Sequence, residues 1–212
     1  MELNALSCGK LVTYLPGLEV QPLPFQPETG YIGVGSGSES STYEGDSVHE
    51  LFYYFVKSER NPKEDPLVLW LAGGPFCSGL SNLATGIGPI RIDKVVEYNN
   101  CSLPTLTLNP NSWAKVANII FLDAPMGAGF SYSKSSRESP ISDSVSAKHT
   151  HEFLVKWLIQ NPEFQSNPVY IAGISKSGFL IPIIVQDLIR DTEDGKYPFL
   201  NFKVKTSSFS FF

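Results

Sequence analysis

The sequence predicts an α/β protein: a mostly parallel sheet led by an antiparallel hairpin, with helices packed on it. Three continuous apolar runs carry that reading, "LVLWLAGG" (67–74), "ANIIFLDAP" (117–125) and "PVYIAGIS" (168–175). Strands covered on both faces need such unbroken runs, whereas half-exposed strands alternate. Helical patterns flank the last run, and the β-branched and aromatic segment "HELFYYFVKSE" (49–59) supplies a hairpin strand.

In chain order, "GYIGVG" (30–35) reads as a short strand, and the Ser/Gly-rich segment 36–47 as a turn leading into 49–59. "NPKEDP" (61–66) is turn chemistry before the first buried run. A loop-rich region separates it from the second run, which ends at Asp123. Residues 142–160 read as a helix capped by Ser142 or Ser144, because Phe153, Leu154, Trp157 and Leu158 recur at 3–4 spacing. The third run follows, then a second helix over 179–190 with Pro182 expected in its first turn. No internal repeat interrupts this order, so 1–212 is read as a single domain.

Composition narrows the function. With 42% hydrophobic and 17% charged residues the chain can bury a core and is not of disordered type. A net charge of −5 gives no basic footprint for nucleic acid or an anionic membrane surface. Gly, Pro or charge breaks every apolar run before the ~18 residues of a membrane span. The first residues show no basic start followed by an apolar stretch, so no signal peptide is evident. Cys8, Cys77 and Cys101 match neither a disulfide framework nor a metal site, and neither metal nor other cofactor is expected. Asn100-Cys101-Ser102 is a glycosylation sequon, meaningful only in a secretory setting.

The chemistry concentrates at Gly173-Ile174-Ser175-Lys176-Ser177-Gly178, between a strand pattern and a helix pattern. A nucleophile elbow needs small neighbours there, since the serine backbone is strained and strand and helix approach closely. Gly173, Ser177 and Gly178 meet that demand, and the helix N-terminus would stabilise an oxyanion. The alternative is an ordinary Ser/Gly turn. In "WLAGGPFCSG" (70–79) the first buried run ends in Gly73 and Gly74. A loop after that strand can donate a backbone N–H to an oxyanion hole, here Gly74 with Lys176 as second donor, or it is simply a strand-ending turn.

Together "LPG", "ETGYIGVG", "LFYYFVKSERNPKEDPLVLWLAGGP", "NIIFLDAPMGAGFSYS", "HEFLVKWL" and "VYIAGISKSG" resemble the serine carboxypeptidase-like family, plant type, over residues 15–201. The resemblance implies an α/β-hydrolase fold, incomplete on its C-terminal side, with Ser175 as the triad serine. It also implies a secreted or vacuolar setting and a peptide or acyl-ester substrate, through carboxypeptidase or acyl-glucose-dependent acyltransferase chemistry.

The sequence departs from the family's pattern around that serine. Ile174 stands where the family has an acidic residue, and Lys176 where it has an aromatic one. Ala72 replaces a substrate-binding asparagine beside Gly73, Phe76 replaces a glycine and is expected to crowd the pocket, and Gly86-Ile87-Gly88-Pro89 lacks the family's acidic residue. His49, His149 and His151 all precede Ser175, against the order Ser, Asp, His of this fold. Surface or structural roles are expected for them. These 212 residues alone therefore lack a triad and are expected to be inactive, as a truncated remnant or a binding module of the same fold. Two structural expectations follow: the strand through Tyr170 is left as an exposed edge, because 204–212 no longer resembles the family, and Cys77, whose partner the resemblance places beyond residue 212, is a free, buried thiol.

Overall fold

The computed structural model describes residues 9–35, 49–74, 76–92, 104–134, 142–198, 200–203 and 207–209. The elements are β1 (Lys10–Leu11), β2 (Pro27–Val34), β3 (His49–Val56), β4 (Leu67–Leu71), α1 (Gly79–Thr85), β5 (Ile90–Ile92), β6 (Leu106–Leu108), β7 (Asn118–Leu122), β8 (Tyr132–Ser133), α2 (Asp143–Gln160), β9 (Val169–Ile174), α3 (Ser177–Glu193) and β10 (Ser207–Phe209). Eight strands form one mixed sheet in the order β1-β2-β3-β7-β4-β9-β10, with β8 beside β3, while β5 and β6 pair separately. The β2–β3 hairpin is antiparallel, and β7, β4, β9 and β10 run parallel to one another. This is the expected α/β arrangement, hairpin included.

Side-chain alternation explains why the three runs are apolar throughout. Leu67, Leu69 and Leu71 point to the layer made by α2 and α3, together with Ile120, Leu122, Val169 and Ile171. Val68, Trp70, Ile119, Phe121 and Ala172 point the other way, against Leu18, Phe25, Leu83 and Ile90. Each of the five residues in β4 and in β7 is buried. A two-sided sheet leaves no position for a polar face.

The helix α2 starts where the sequence placed it: Ser142 caps it, its Oγ accepting from the N–H of Val145 at 3.3 Å. Phe153, Leu154, Trp157 and Leu158 are each at most 1% exposed. The second helix begins two residues earlier than expected, at Ser177, so Pro182 falls in its second turn rather than its first. The loop-rich region holds structure that no periodicity announced, namely α1 and the β5–β6 pair. Short elements bury too few residues to leave a pattern. There Gly86 closes α1 and Gly88 passes against the backbone of Leu83, both carbonyls receiving the Asn109 amide at 3.0 and 2.8 Å.

At the sheet's lower end the "NPKEDP" turn is clamped. Asn118 and Asn167, just before or at the start of β7 and β9, both donate to the carbonyls of Pro62 and Asp65. The Asp65 carboxylate takes Arg60, Ser58 Oγ (2.6 Å) and the N–H of Asn61 (3.0 Å). The Arg60 guanidinium, first among these, pulls its carboxyl down to about 2.

Two expectations need correction. β9 is not an edge: β10 pairs with it in parallel, Ser207 opposite Ala172 and Phe209 opposite Ile174, and Val169 exchanges hydrogen bonds with Asn201 and Lys203. Departure from a family's wording does not remove a backbone's donors and acceptors, and three residues suffice to cover the end of β9. Cys77 is free, as expected, but exposed rather than buried, since its loop turns outward after Gly74.

The histidines take structural positions. His149 is 8% exposed, its ring 5.0 Å from that of His49 and against the backbone of Gly35. His151 Nε2 sits 2.8 Å from Asp191 Oδ2, joining α2 to α3, and burial pulls its pKa down despite that carboxylate.

Hydrogen exchange should find Val169–Ile174 protected, and removing residues 204–212 should speed exchange of the amides of β9 facing β10 by about tenfold, the size of a single lost hydrogen bond. Uniform protection in the shortened chain would contradict the pairing. His149 supplies a pH prediction. Burial, first, and the neighbouring His49 lower its pKa to about 4. A histidine depressed in the folded state costs nothing above its unfolded value of about 6.5 and destabilises progressively as pH falls from there towards 4. We expect about 2 kcal/mol of lost stability across that window, after a discount for partial hydration of the ring. His149→Gln should lack this component in urea melts at pH 7 and 4.5.

Candidate active site

The site lies where β4 and β9, parallel neighbours, end together. Leu71 is opposite Gly173, so the backbone beyond each strand, Ala72-Gly73-Gly74 and Ile174-Ser175-Lys176, emerges side by side. This places Ala72, Gly73, Gly74, Ile174, Ser175 and Lys176 in one cluster. Asn100 lies outside the described residues.

Ser175 has a φ of +58°, a left-handed conformation that a residue with a Cβ adopts only when its surroundings impose it. Gly173 is one cause. A Cβ there would stand 2.6 Å from the carbonyl oxygen of Leu71 and run into Ser177 Oγ, so only glycine lets β9 pass this close to β4 and to the start of α3. Ser177 is 1% exposed and its Oγ donates to the carbonyl of Ile174 at 2.8 Å, closing the turn from within. The chain therefore turns from strand to helix in two residues, with Ser175 at the apex.

The β4 loop is shaped to meet that apex. A Cβ on Gly73 would lie 3.0 Å from Ser175 Cβ and from the carbonyl of Ile174, so the two loops touch. Gly74 has a φ of +113°, and a Cβ on it would come within 2.9 Å of Cys77 N and Sγ. Phe76 is also left-handed, at +63°, and its half-exposed side chain lies over the site. Phe76 lines a cavity of about 90 Å3 together with Ala72, Gly73, Lys176 and Ser177.

Asp123, which the sequence reading used only as the end of a strand, holds this loop from below. The carboxylate is fully buried and accepts from Ser78 Oγ and Gly79 N, both at 2.7 Å, and from Phe130 N at 3.0 Å. A side chain on Gly129 would fall on that carboxylate. An acidic residue closing an apolar strand, followed by a Gly-rich loop, was the signal available for it.

The cluster contains no general base. Ser175 Oγ has no hydrogen-bond partner among the described residues. His149 packs against Gly35 and His49 at the end of the β2–β3 hairpin, and His151 pairs with Asp191, about 21 Å along α3 from Ser177. Lys176 is engaged with Asp143 at 2.6 Å, 39% and 53% exposed respectively, and lies 5.4 Å from the Phe179 ring. Among the described residues no group of three or more metal-ligating side chains occurs.

Comparison with known proteins agrees with this geometry. The serine carboxypeptidase family model matches residues 16–205. The chain is 52% identical over 180 residues to serine carboxypeptidase-like 12 of Arabidopsis thaliana, covering 85% of this chain and 39% of that protein. It is 48% identical over 193 residues to serine carboxypeptidase-like 2 of the same plant, covering 91% and 41%. It spans about two fifths of the length of these relatives. Among solved structures, the prohormone-processing carboxypeptidase Kex1 of Saccharomyces cerevisiae superposes with a TM-score of 0.68 at 24% identity, over 87% of this chain and 38% of that one, which establishes the shared fold. The strand–serine–helix turn, the glycine loop beside it and the family match over nearly the whole length make this chain a member of the serine carboxypeptidase family.

Proposed function

We propose that these residues form the nucleophile-bearing half of a serine acyl-transfer site, with Ser175 as nucleophile and the backbone N–H groups of Gly74 and Lys176 as oxyanion donors. The reading rests on one observation: Ser175 is held at φ +58° on a turn that Gly173 alone permits, facing a glycine loop that touches it. Backbone strain at a serine between strand and helix is costly, and it is retained where the hydroxyl must be presented at a helix N-terminus.

The hydroxyl would attack the carbonyl of a peptide or acyl ester, and the acyl-enzyme would pass to water, as in a carboxypeptidase, or to an acceptor alcohol, as in an acyltransferase. A base must take the hydroxyl proton and return it to the leaving group, and an acid must orient that base. Among the described residues neither a histidine nor an acid orienting one stands beside Ser175, so both would come from elsewhere in a longer polypeptide. By itself this chain is therefore expected to turn over near background, since removal of the histidine from one serine protease costs about a millionfold. The loss of polar side chains at Ala72 and Ile174 favours, as a second reading, a binding module of the same fold without turnover. A secreted or vacuolar setting, and a glycan on Asn100, accompany the family assignment as parts of this proposal.

A fluorophosphonate tests the nucleophile. Modification of the 212-residue chain should be slow and map to Ser175, free imidazole should accelerate it, and Ser175→Ala should abolish the accelerated fraction. Labelling scattered over other serines, unchanged in Ser175→Ala, would reject the assignment; rapid labelling without imidazole would show that a base is already present. Gly173→Ala checks the geometry separately. Its methyl meets the Leu71 carbonyl, so it should cost about 2–3 kcal/mol in a denaturant melt and remove imidazole-dependent labelling.

A further inference from the structure

The Asp123 carboxylate is 0% exposed, and among the described residues no cation pairs with it. A buried charge without a counterion is costly, and it persists where a neutral side chain cannot take its place. Here its two oxygens serve two loops. Oδ1 accepts from Ser78 Oγ and Gly79 N, both at 2.7 Å, at the far end of the loop after β4. Oδ2 accepts from Phe130 N at 3.0 Å, in the loop after β7. Every partner is a donor, so the site demands an acceptor on both sides. An asparagine would set its amide N–H against one of them.

The chain is shaped to reach that carboxylate. A Cβ on Gly79 would stand 3.0 Å from the backbone of Phe121, so only glycine brings the start of α1 down onto β7. Ser78 Oγ also accepts from Leu80 N at 3.1 Å, so one hydroxyl joins the carboxylate to the first turn of α1. From this anchor the loop runs back to Gly74 in a few residues, and the turn is tight. A Cβ on Gly74 would lie 2.9 Å from both the N and the Sγ of Cys77. Gly74 therefore rests on Cys77, Cys77 is joined to Ser78, and Ser78 is held by Asp123. Groups packed this closely pass a displacement of Ser78 on to the N–H of Gly74.

We propose that Asp123 is a positioning residue of the oxyanion hole: fully buried, it meets no substrate, and it sets where the Gly74 N–H points. A backbone donor stabilises a developing oxyanion only if it already lies at hydrogen-bond distance from the place the charge will occupy. Contact between Gly73 and Ser175 fixes the depth of the β4 loop but leaves the direction of the next N–H open. Gly74 itself, at φ +113°, has the freest backbone of any residue type and cannot hold that direction alone. The bonds to Ser78 and Gly79 supply the hold. Through Phe130 the same carboxylate secures the loop after β7, whose Ala124 and Pro125 line the cavity together with Gly73 and Phe76. The meaning of the Gly74 N–H as an oxyanion donor rests on the reading of Ser175 as nucleophile; the hold of Asp123 on Gly74 does not.

The test follows the Gly74 amide in the 15N-labelled 212-residue chain, before and after fluorophosphonate modification of Ser175. In the unmodified chain Asp123→Ala and Ser78→Ala should each shift the Gly74 resonance and speed its exchange about tenfold, with the amides of β4 and β7 unchanged. On modification the Gly74 resonance should move downfield as its N–H bonds the phosphonyl oxygen. Both substitutions should diminish that movement and slow imidazole-dependent labelling about tenfold. The double variant should be no slower than Asp123→Ala, because both act through one bond. A substitution that only loosened the fold would leave the downfield movement intact in the labelled, folded chain. Gly74 resonance and exchange unchanged in both variants, or a full downfield movement in both, overturns the proposal. Should Asp123→Ala fail to fold, Ser78→Ala, which deletes one of the three bonds, decides alone. An unsubstituted chain that does not label, with Gly74 displaced by both substitutions, would reject the nucleophile alone; normal labelling with Gly74 undisturbed would reject the positioning role alone.

Discussion

The close passage of β9 across the end of β4 is the constraint on which the rest depends. At Gly173 the two strands and the first turn of α3 meet with no room for a methyl group: the Leu71 carbonyl lies on one side and Ser177 on the other. The chain must leave β9 and enter α3 within two residues, and the only way through is a left-handed residue at the apex, which is Ser175. The strain is local, but its support is distributed. Leu71 and Gly173 are held in register by parallel pairing, and the pairing is held by the two buried layers on either face of the sheet.

The lower end of the sheet shows the complementary device. Two asparagines at the lower ends of β7 and β9, the strands on either side of β4, share the carbonyls of one turn, and one carboxylate gathers the donors of the residues before it. These bonds satisfy backbone groups and fix the relative height of β4, β7 and β9. A shift of one residue in any of them would turn every side chain to the opposite layer. With the lower ends pinned, the upper ends arrive together, and the buried Asp123 carboxylate anchors the loop that faces Ser175 through Ser78 Oγ and Gly79 N and ties it to the loop after β7 through Phe130 N. The site is therefore rigid on the side that presents the nucleophile and the glycine loop, and without an imidazole on the other.

The residues around Ser175 divide into a backbone frame and the side chains that surround it. Backbone geometry sets Gly73, Gly74, Gly173 and Ser175, while around them Ala72 is buried, Ile174 packs against one core layer, and Phe76 and Lys176 reach towards solvent. Backbone close approach tolerates no replacement, whereas a recognition residue can be exchanged for another at little cost to folding.

The buried strands, the helix over 143–160 with its Ser142 cap, the hairpin and the serine on its turn were legible in the sequence by itself. Each leaves a local signature: unbroken apolar runs, a 3–4 stripe, small residues around a hydroxyl. Tertiary structure decided the rest. Nothing in 204–212 announced a strand, because three residues have no period to read, and it is the open backbone of β9 that recruits them. Asp123 looked like the end of a strand until the loop folded over it, and Ser146 looked like one more polar position on a helix until the cavity enclosed it. Cys77 turned outward because of the conformation at Gly74, which a residue name does not specify. Local propensity and patterning are written in neighbouring residues, but burial, charge and exposure at a given position are set by groups far away in the chain, and these are known only once the chain has folded.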